Sequence, residues 1–538
     1  MRREDQERIL SELVTRLGAA EDVPKLRERL EDSLYFERQR LDADRGKSPA
    51  YARDVQFWDG IRERLRKRSG EPPAALLRSV LRFYAEEIQG NFDPRVYELV
   101  TRFAPSGLGL MLNAVSPLRL VQRLPELPKM EDRIVIQGEV EHLRRLHERG
   151  TVMLVPTHVS NLDSPVVGFA LFKMGLPPFL YGAGLNLFTN PVMSFFMRNL
   201  GAYTVDRKKQ DPVYKSVLKE YATLTIEHGY DNLFFPGGTR SRSGAVERKL
   251  KRGLLGCGLS AYVNNLRRGA PNPKVFIVPC TLSSQLVLEA ETLIDDFLKE
   301  VGKSRYIIDD DEFSQPKRVF DFLTRLTELD SKNHVTVSRG LDVFGNPVDD
   351  EGRSYGPNGQ VIDDRRYLYV EGEPQIVPDR DGEYTTDLAE AIADSFARDN
   401  VVDCTHVTAR ALFRTLRRRN PGVSTLRLIR TGGRDEDLPL VELYTEADNL
   451  LREVRAKAER GQLRLARSTV GPADEVVSDG ILHFGIYHKK AAATRRGDRV
   501  LLPDRTLLLY YQNRLEGYGL EGGDLLADDR RSLREVRP

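Results

Sequence analysis

An α/β fold is predicted: a central, mostly parallel sheet flanked by helices, with an N-terminal helical domain and a mixed C-terminal region. Three features of the sequence predict it. From about residue 130, short apolar runs alternate with amphipathic segments, the pattern of βαβ units. Several of those runs end in polar, glycine-rich or basic loops, as strand C-termini do where a parallel sheet carries its functional groups. Before residue 125, apolar positions recur instead at helical spacing, as in Ile9, Leu10, Leu13, Val14 and Leu17 and in Leu76, Leu77, Val80, Leu81, Tyr84 and Ile88.

At 538 residues the chain exceeds one ordinary core, so several domains are expected. The boundaries fall at 1–125 for the helical domain, 126–345 for the α/β domain, 346–383 for an irregular connection and 384–538 for the mixed α/β region. The 82 basic and 80 acidic residues nearly cancel, leaving +2 and no nucleic-acid signature. The cysteines Cys257, Cys280 and Cys404 have no metal-ligand spacing and fit a reducing compartment. Met1-Arg2-Arg3-Glu4-Asp5 opens a charged pattern rather than a signal core, so secretion is not expected. Met174 to Met197 lacks charge but contains Pro177, Pro178, Pro191 and several glycines and asparagines. It reads as broken apolar surface or core rather than a spanning helix. Phe103 to Leu118 is a second uncharged stretch, so contact with a membrane surface is expected and a span is not.

The elements follow in order. Pro72 and Pro73 start the helix that carries Leu76. Arg133–Gly138 reads as a strand, Glu139–Arg149 as a helix stopped by Gly150, and Thr151–Pro156 as the next strand. Tyr214–His228 is an amphipathic helix closed by Gly229, leading into the strand Asn232–Phe235. Lys274–Val278 is a strand expected to stop at Pro279, and His334–Val337 is another. Between Phe344 and Glu383 the chain is rich in Gly, Pro and Asp, with one short strand at Tyr367–Val370. Thr385 or Thr386 is expected to cap a helix running through Ala397.

Chemistry gathers in four blocks. The strand Thr151–Pro156 feeds a polar loop with His158 and, five residues on, Asp163. A carboxylate so placed can fix the imidazole tautomer while histidine takes a hydroxyl proton. With 8 histidines and 80 acidic residues in 538, about one such spacing arises by chance, so the other blocks must carry the case. The second is Gly201–Arg207, with Lys208 and Lys209 behind it. The third is Phe234-Phe235-Pro236-Gly237-Gly238-Thr239-Arg240-Ser241-Arg242, and the fourth is Val275–Cys280. In the third, glycines let backbone N–H groups approach an anion, and Arg240 and Arg242 offer bidentate donors. Arg207 completes the cage, with Lys251 adding charge. Lys208, Lys209 and Lys249 read as a solvated face. The turn has neither GxxxxGK[ST] nor GxGxxG, which argues against a nucleotide site.

Together the four blocks, spanning about 120 residues, resemble the ordered motifs of the glycerolipid acyltransferases. Asn91–Tyr97, Leu34–Arg38 and Leu508–Asn513 resemble segments of the large bacterial-type glycerol-3-phosphate acyltransferases within that superfamily. The resemblance makes 126–345 the catalytic domain and implies acyl transfer from a thioester to a hydroxyl of glycerol 3-phosphate in phospholipid synthesis. It implies His158 and Asp163 as catalytic residues, with Arg207, Gly238, Thr239, Arg240, Ser241, Arg242 and Lys251 binding substrate. No metal or cofactor is implied, only acyl-CoA or acyl carrier protein as donor, at the cytoplasmic face of a membrane. Two departures bear on this. The family's usual glutamate before the motif glycine is here Gly237, and Val205-Asp206-Arg207 is closer to the lysophosphatidate type. A lysophosphatidate acceptor and a catalytically weak lipid-binding protein are therefore the competing readings.

Overall fold

The computed structural model describes residues 3–520 except 20–21, 47, 49, 68–70, 103–132, 186–194, 196, 302–330, 433–436 and 485–489. The Phe103–Leu118 stretch and the middle of Met174–Met197 lie outside the described residues. Among the described residues, no helix is long and apolar enough to cross a membrane.

Five helices open the chain: α1 (Arg3–Leu17), α2 (Val23–Asp44), α3 (Tyr51–Arg66), α4 (Pro73–Ile88) and α5 (Pro94–Arg102). The helical spacing seen in the sequence is the buried stripe, with Leu76, Val80, Tyr84 and Ile88 of α4 all inaccessible to solvent. That stripe packs with Leu30 and Ile9 against Val213, Val217 and Tyr221 of a helix of the α/β unit, so the N-terminal region shares a core with it.

The α/β unit runs β1 (Ile134–Gly138), α6 (Val140–Arg149), β2 (Thr151–Pro156), α7 (Asp163–Lys173), β3 (Leu180–Gly184), β4 (Ala202–Val205), α8 (Pro212–Glu227), β5 (Asn232–Leu233), α9 (Arg252–Arg267), β6 (Val275–Ser284), α10 (Ala290–Val301) and β7 (Asn333–Val337). The seven strands form one sheet in the order β1-β7-β6-β2-β5-β3-β4. Strands β2 to β6 run parallel, so their C-terminal ends share one edge, while β7 is antiparallel to β6 and pairs in parallel with β1. The apolar runs of β2 and β6 are buried on both faces, as a covered parallel sheet requires. In the described part of Met174–Met197, Met174, Leu176, Phe179, Leu180 and Ala183 are core.

Three local expectations are corrected. Strand β6 does not stop at Pro279. The Pro279 carbonyl accepts the Ser338 amide at 2.9 Å, and Cys280 to Ser284 continue as the antiparallel partner of β7, so one missing N–H is tolerated where the strand changes neighbours. The late helix, α11 (Pro378–Arg398), starts ahead of Thr385 and Thr386. Pro378 opens its first turn and the Asp381 carboxylate accepts the Val377 amide, so both threonines bond back to the carbonyls of Asp381 and Gly382 within the helix. Lys209 is not solvated. It is buried, 2.6 Å from Glu87 of α4 and above the Tyr84 ring, and ties the helical region to the end of β4.

The C-terminal region continues as α12 (Cys404–Arg419), α13 (Thr425–Thr431), α14 (Leu440–Glu459), α15 (Ala473–Phe484) and α16 (Arg505–Gln512), with a small antiparallel sheet at 437–439, 494–496 and 499–501. Its core takes in Val159 and Leu162 of the His158 loop and Leu286 to Leu288 after β6. Arg514, just past α16, is buried and donates to the Leu282 carbonyl at 2.6 Å and the Ser283 hydroxyl at 2.9 Å. Asn513 donates to the Ser243 carbonyl at 2.8 Å. Beside it, Gly244 has φ +80°, and a Cβ there would overlap the Tyr510 carbonyl. Gly244→Ala is expected to lose about 1–3 kcal/mol through strain and the displaced helix end, measured by urea unfolding.

Candidate active site

Strand β2 delivers Thr157, whose amide is held by the Cys280 carbonyl at 3.0 Å, and the chain then turns through His158–Leu162 into α7. Asp163, in the first turn of α7, accepts the amides of Val159 and Ser160 and lies 3.0 Å from His158 Nδ1. With a carboxylate at Nδ1 that nitrogen carries the proton, leaving Nε2 as the acceptor. The imidazole stacks on Phe235, centroids 4.1 Å apart, which fixes its plane. Burial and then the charges of Arg240 and Arg207 hold its pKa below histidine's usual value, against the opposing pull of Asp163. The ring is thus neutral and ready to take a proton.

The third block turns at Gly238, with φ +77°, and its amide is accepted by Phe235 O at 3.1 Å. Ser241 N donates to the His158 carbonyl at 2.7 Å and Lys251 N to the Pro236 carbonyl at 2.7 Å, tying the turn to the histidine loop and to the start of α9. A cleft of about 310 Å³ opens at the ends of β2 to β5. His158, Arg207, Gly238 and Lys251 line it, together with Tyr181 and Phe235. Of the residues the sequence singled out, these four are gathered, with Asp163 behind the histidine.

Arg240 stands beside the cleft with its guanidinium 3.3 Å from the buried Glu289 carboxylate, while its charge reaches both His158 and Arg207. Thr239 is exposed, Ser241 Oγ bonds to the Ala245 carbonyl, and Arg242 pairs with Glu300 at 2.9 Å, so none of these three lines the cleft.

Sequence reasoning missed Lys215 and Lys219, one turn apart on α8 and both lining the cleft. Lys215 and Lys219 belong to no motif of the sequence, and only the placement of α8 brings them to the cleft. No carboxylate lines the cleft among the described residues. It also missed Glu289, which accepts Ser160 Oγ at 2.8 Å and Asn161 N at 2.9 Å. Burial pushes the Cys257 and Cys280 thiols up to about 11 and about 12, and Cys404 well above the usual range, so none is a thiolate nucleophile.

An oriented histidine faces a cationic cleft, and residues 137–283 match the family model described as Acyltransferase. Over these residues the α/β unit is similar to the acyltransferase domain that this model describes. Its relatives include the glycerol-3-phosphate acyltransferase of Pseudomonas fluorescens strain SBW25, 31% identical over 182 residues, covering 34% of this chain and 21% of that protein. The enzyme of the same name from Pseudomonas fluorescens strain Pf0-1 is 27% identical over 284 residues, 52% of this chain and 30% of the relative. That of Pseudomonas aeruginosa strain PAO1 is 30% identical over 173 residues, 32% of this chain and 20% of the relative. The chain thus matches less than a third of the length of these relatives.

Proposed function

We propose that the protein transfers a fatty acyl group from an acyl thioester, carried on coenzyme A or acyl carrier protein, to a hydroxyl of glycerol 3-phosphate. The observation that carries this reading is the Asp163-oriented His158 at a cleft whose charged lining is wholly basic. His158 Nε2 takes the hydroxyl proton as the oxygen attacks the thioester carbonyl. The C–S bond then breaks, and the imidazolium returns its proton to the leaving thiolate. Arg207, Lys251, Lys215 and Lys219 are the cations offered to phosphate groups of acceptor and donor. The chain's own residues supply each proton position in this scheme.

Membrane association at the cytoplasmic face belongs to the same proposal. It is supported by the exposed Phe172, Leu185 and Phe195 around β3 and β4, which suit shallow contact with lipid.

Product analysis with purified protein and acyl-CoA tests the reading, with glycerol 3-phosphate and lysophosphatidate as separate acceptors. Acylated glycerol 3-phosphate is expected. Turnover of lysophosphatidate alone would move the acceptor assignment, and no transfer to either would leave a lipid-binding protein. Within the assay, Arg207→Ala is expected to raise the acceptor KM about ten- to a hundredfold with the donor KM little changed. Arg207→Lys should recover part of that, because an ammonium keeps the charge and loses the fork. Parallel drift of both KM values would remove Arg207 from the phosphate site.

A further inference from the structure

Gly237 occupies the place where the resembled family carries a glutamate, and the space over it is not empty. A Cβ built on Gly237 would overlap a carboxylate oxygen of Glu247 and lie 2.6 Å from its Cδ. Gly237 does not have the positive φ of Gly238 next to it, so glycine is required there by space and not by backbone conformation. A side chain at 237 and the observed Glu247 rotamer exclude each other. From that niche, Glu247 Oε2 accepts the His158 backbone amide at 3.3 Å.

We propose that Glu247 is a positioning residue for acyl transfer. Reaching in from ten residues downstream, it places a carboxyl group against the His158 amide, in space that Gly237 leaves open. The inference deepens the acyltransferase reading and rests on it for its kinetic arm.

Two further observations support the assignment. The segment bearing Glu247 is clamped at both ends. Asn513 holds the Ser243 carbonyl, and the Lys251 amide bonds to Pro236. The carboxylate is thus fixed by the turn it serves and by the helix end that closes the C-terminal region. The niche is also desolvated. Burial raises the Glu247 pKa to about 8, Asp163 adds to the rise and Arg514 opposes it. A half-buried acid beside the proposed base loses part of its hydration, which the bond from the His158 amide offsets in part.

The same geometry fixes the role. A bond to the backbone amide of His158 holds the start of the loop while Asp163 holds the ring, so one carboxylate sets the position of the imidazole and the other its tautomer. Glu247 touches neither reacting atom.

The test compares Glu247→Gln, Glu247→Ala, Gly237→Ala and the double variant Gly237→Glu with Glu247→Ala. Glu247→Ala is expected to lower kcat roughly ten- to a hundredfold, with both KM values within about twofold, and Glu247→Gln, which keeps an acceptor oxygen for the His158 amide, should fall between it and wild type. With Glu247 intact, Gly237→Ala should lose as much as Glu247→Ala, because its methyl evicts the carboxylate. The double variant should recover most of the Glu247→Ala loss. A readout independent of turnover is the His158 amide, followed by selective ¹⁵N-histidine labelling among 8 histidines. Its shift should titrate with a midpoint near 8 in the wild type and lose that step in Glu247→Gln. Wild-type kcat in Glu247→Ala, or an amide titration in Glu247→Gln that matches the wild type, overturns the proposal. If the wild type transfers no acyl group, the acyltransferase reading fails and the amide titration alone decides Glu247. If the double variant does not fold, Glu247→Ala and the titration decide it.

Discussion

His158→Ala is expected to lower acyl transfer by about 10²–10⁴-fold while the thermal unfolding curve stays close to wild type. The argument for a selective loss is local. The His158 side chain stacks on Phe235 at the cleft and bonds to Asp163, but the loop itself is held by other groups, the Val159 and Ser160 amides on Asp163 and the Thr157 amide on Cys280. Asp163→Asn should act in the same direction and also loosen the loop, because that carboxylate accepts two backbone amides besides the ring. The pH profile gives the second check. The base works when neutral, so the rate falls as pH drops through its pKa. Burial and the neighbouring arginines hold that pKa below histidine's ordinary 6.5, so the midpoint of the acid limb of kcat/KM should lie below 6.5. Replacing Arg240 should move that acid limb upward by removing one of the opposing charges. Full turnover in His158→Ala, or an acid limb above pH 7, would assign the proton transfer elsewhere.

The parts of the site legible in the sequence are those set by short stretches of chain. The His158 loop, the end of β4 with Arg207 and the glycine turn at 237–238 each follow a strand whose apolar run is visible, and a parallel sheet brings strand ends together without further information. The fold class and the helical N-terminus were readable for the same reason, since periodicity is local. What could not be read depends on contacts across long separations. Glu289 lies 129 positions from Ser160, and Glu247 lies 89 from His158, so their carboxylates carried no spacing signal. Lys215 and Lys219 needed the packing of α8. Arg242 reads in sequence as a further donor behind Arg240, and only the location of Glu300 shows where it pairs. The β6 and α11 boundaries were misplaced because Pro279 and Thr385 have familiar local meanings that neighbouring strands and an upstream proline override.

Glu289→Ala is expected to be the most damaging single change to the structure of the site. Its carboxylate is fully buried just before α10 and accepts from Ser160 Oγ, Asn161 N and the Arg240 guanidinium. Truncation removes an acceptor shared by an amide, a hydroxyl and a partly buried cation. Breaking a buried pair by removing one partner costs about 3–5 kcal/mol, and the loop amide adds to that. Because Leu162 and Val159 of the same loop pack into the C-terminal core, the strain passes to that core as well. Urea unfolding should show the lost stability, and kcat should fall together with it as Arg240 and the histidine loop lose their common anchor. Glu289→Gln separates charge from hydrogen bonding. It retains one acceptor oxygen for the Asn161 amide and should fall between wild type and Glu289→Ala in both measurements. If Glu289→Ala unfolds at the wild-type midpoint, the carboxylate does not anchor the loop. If Gln and Ala are equally damaging, the charge opposite Arg240 is the dominant contribution and the bonds to Ser160 and Asn161 are secondary.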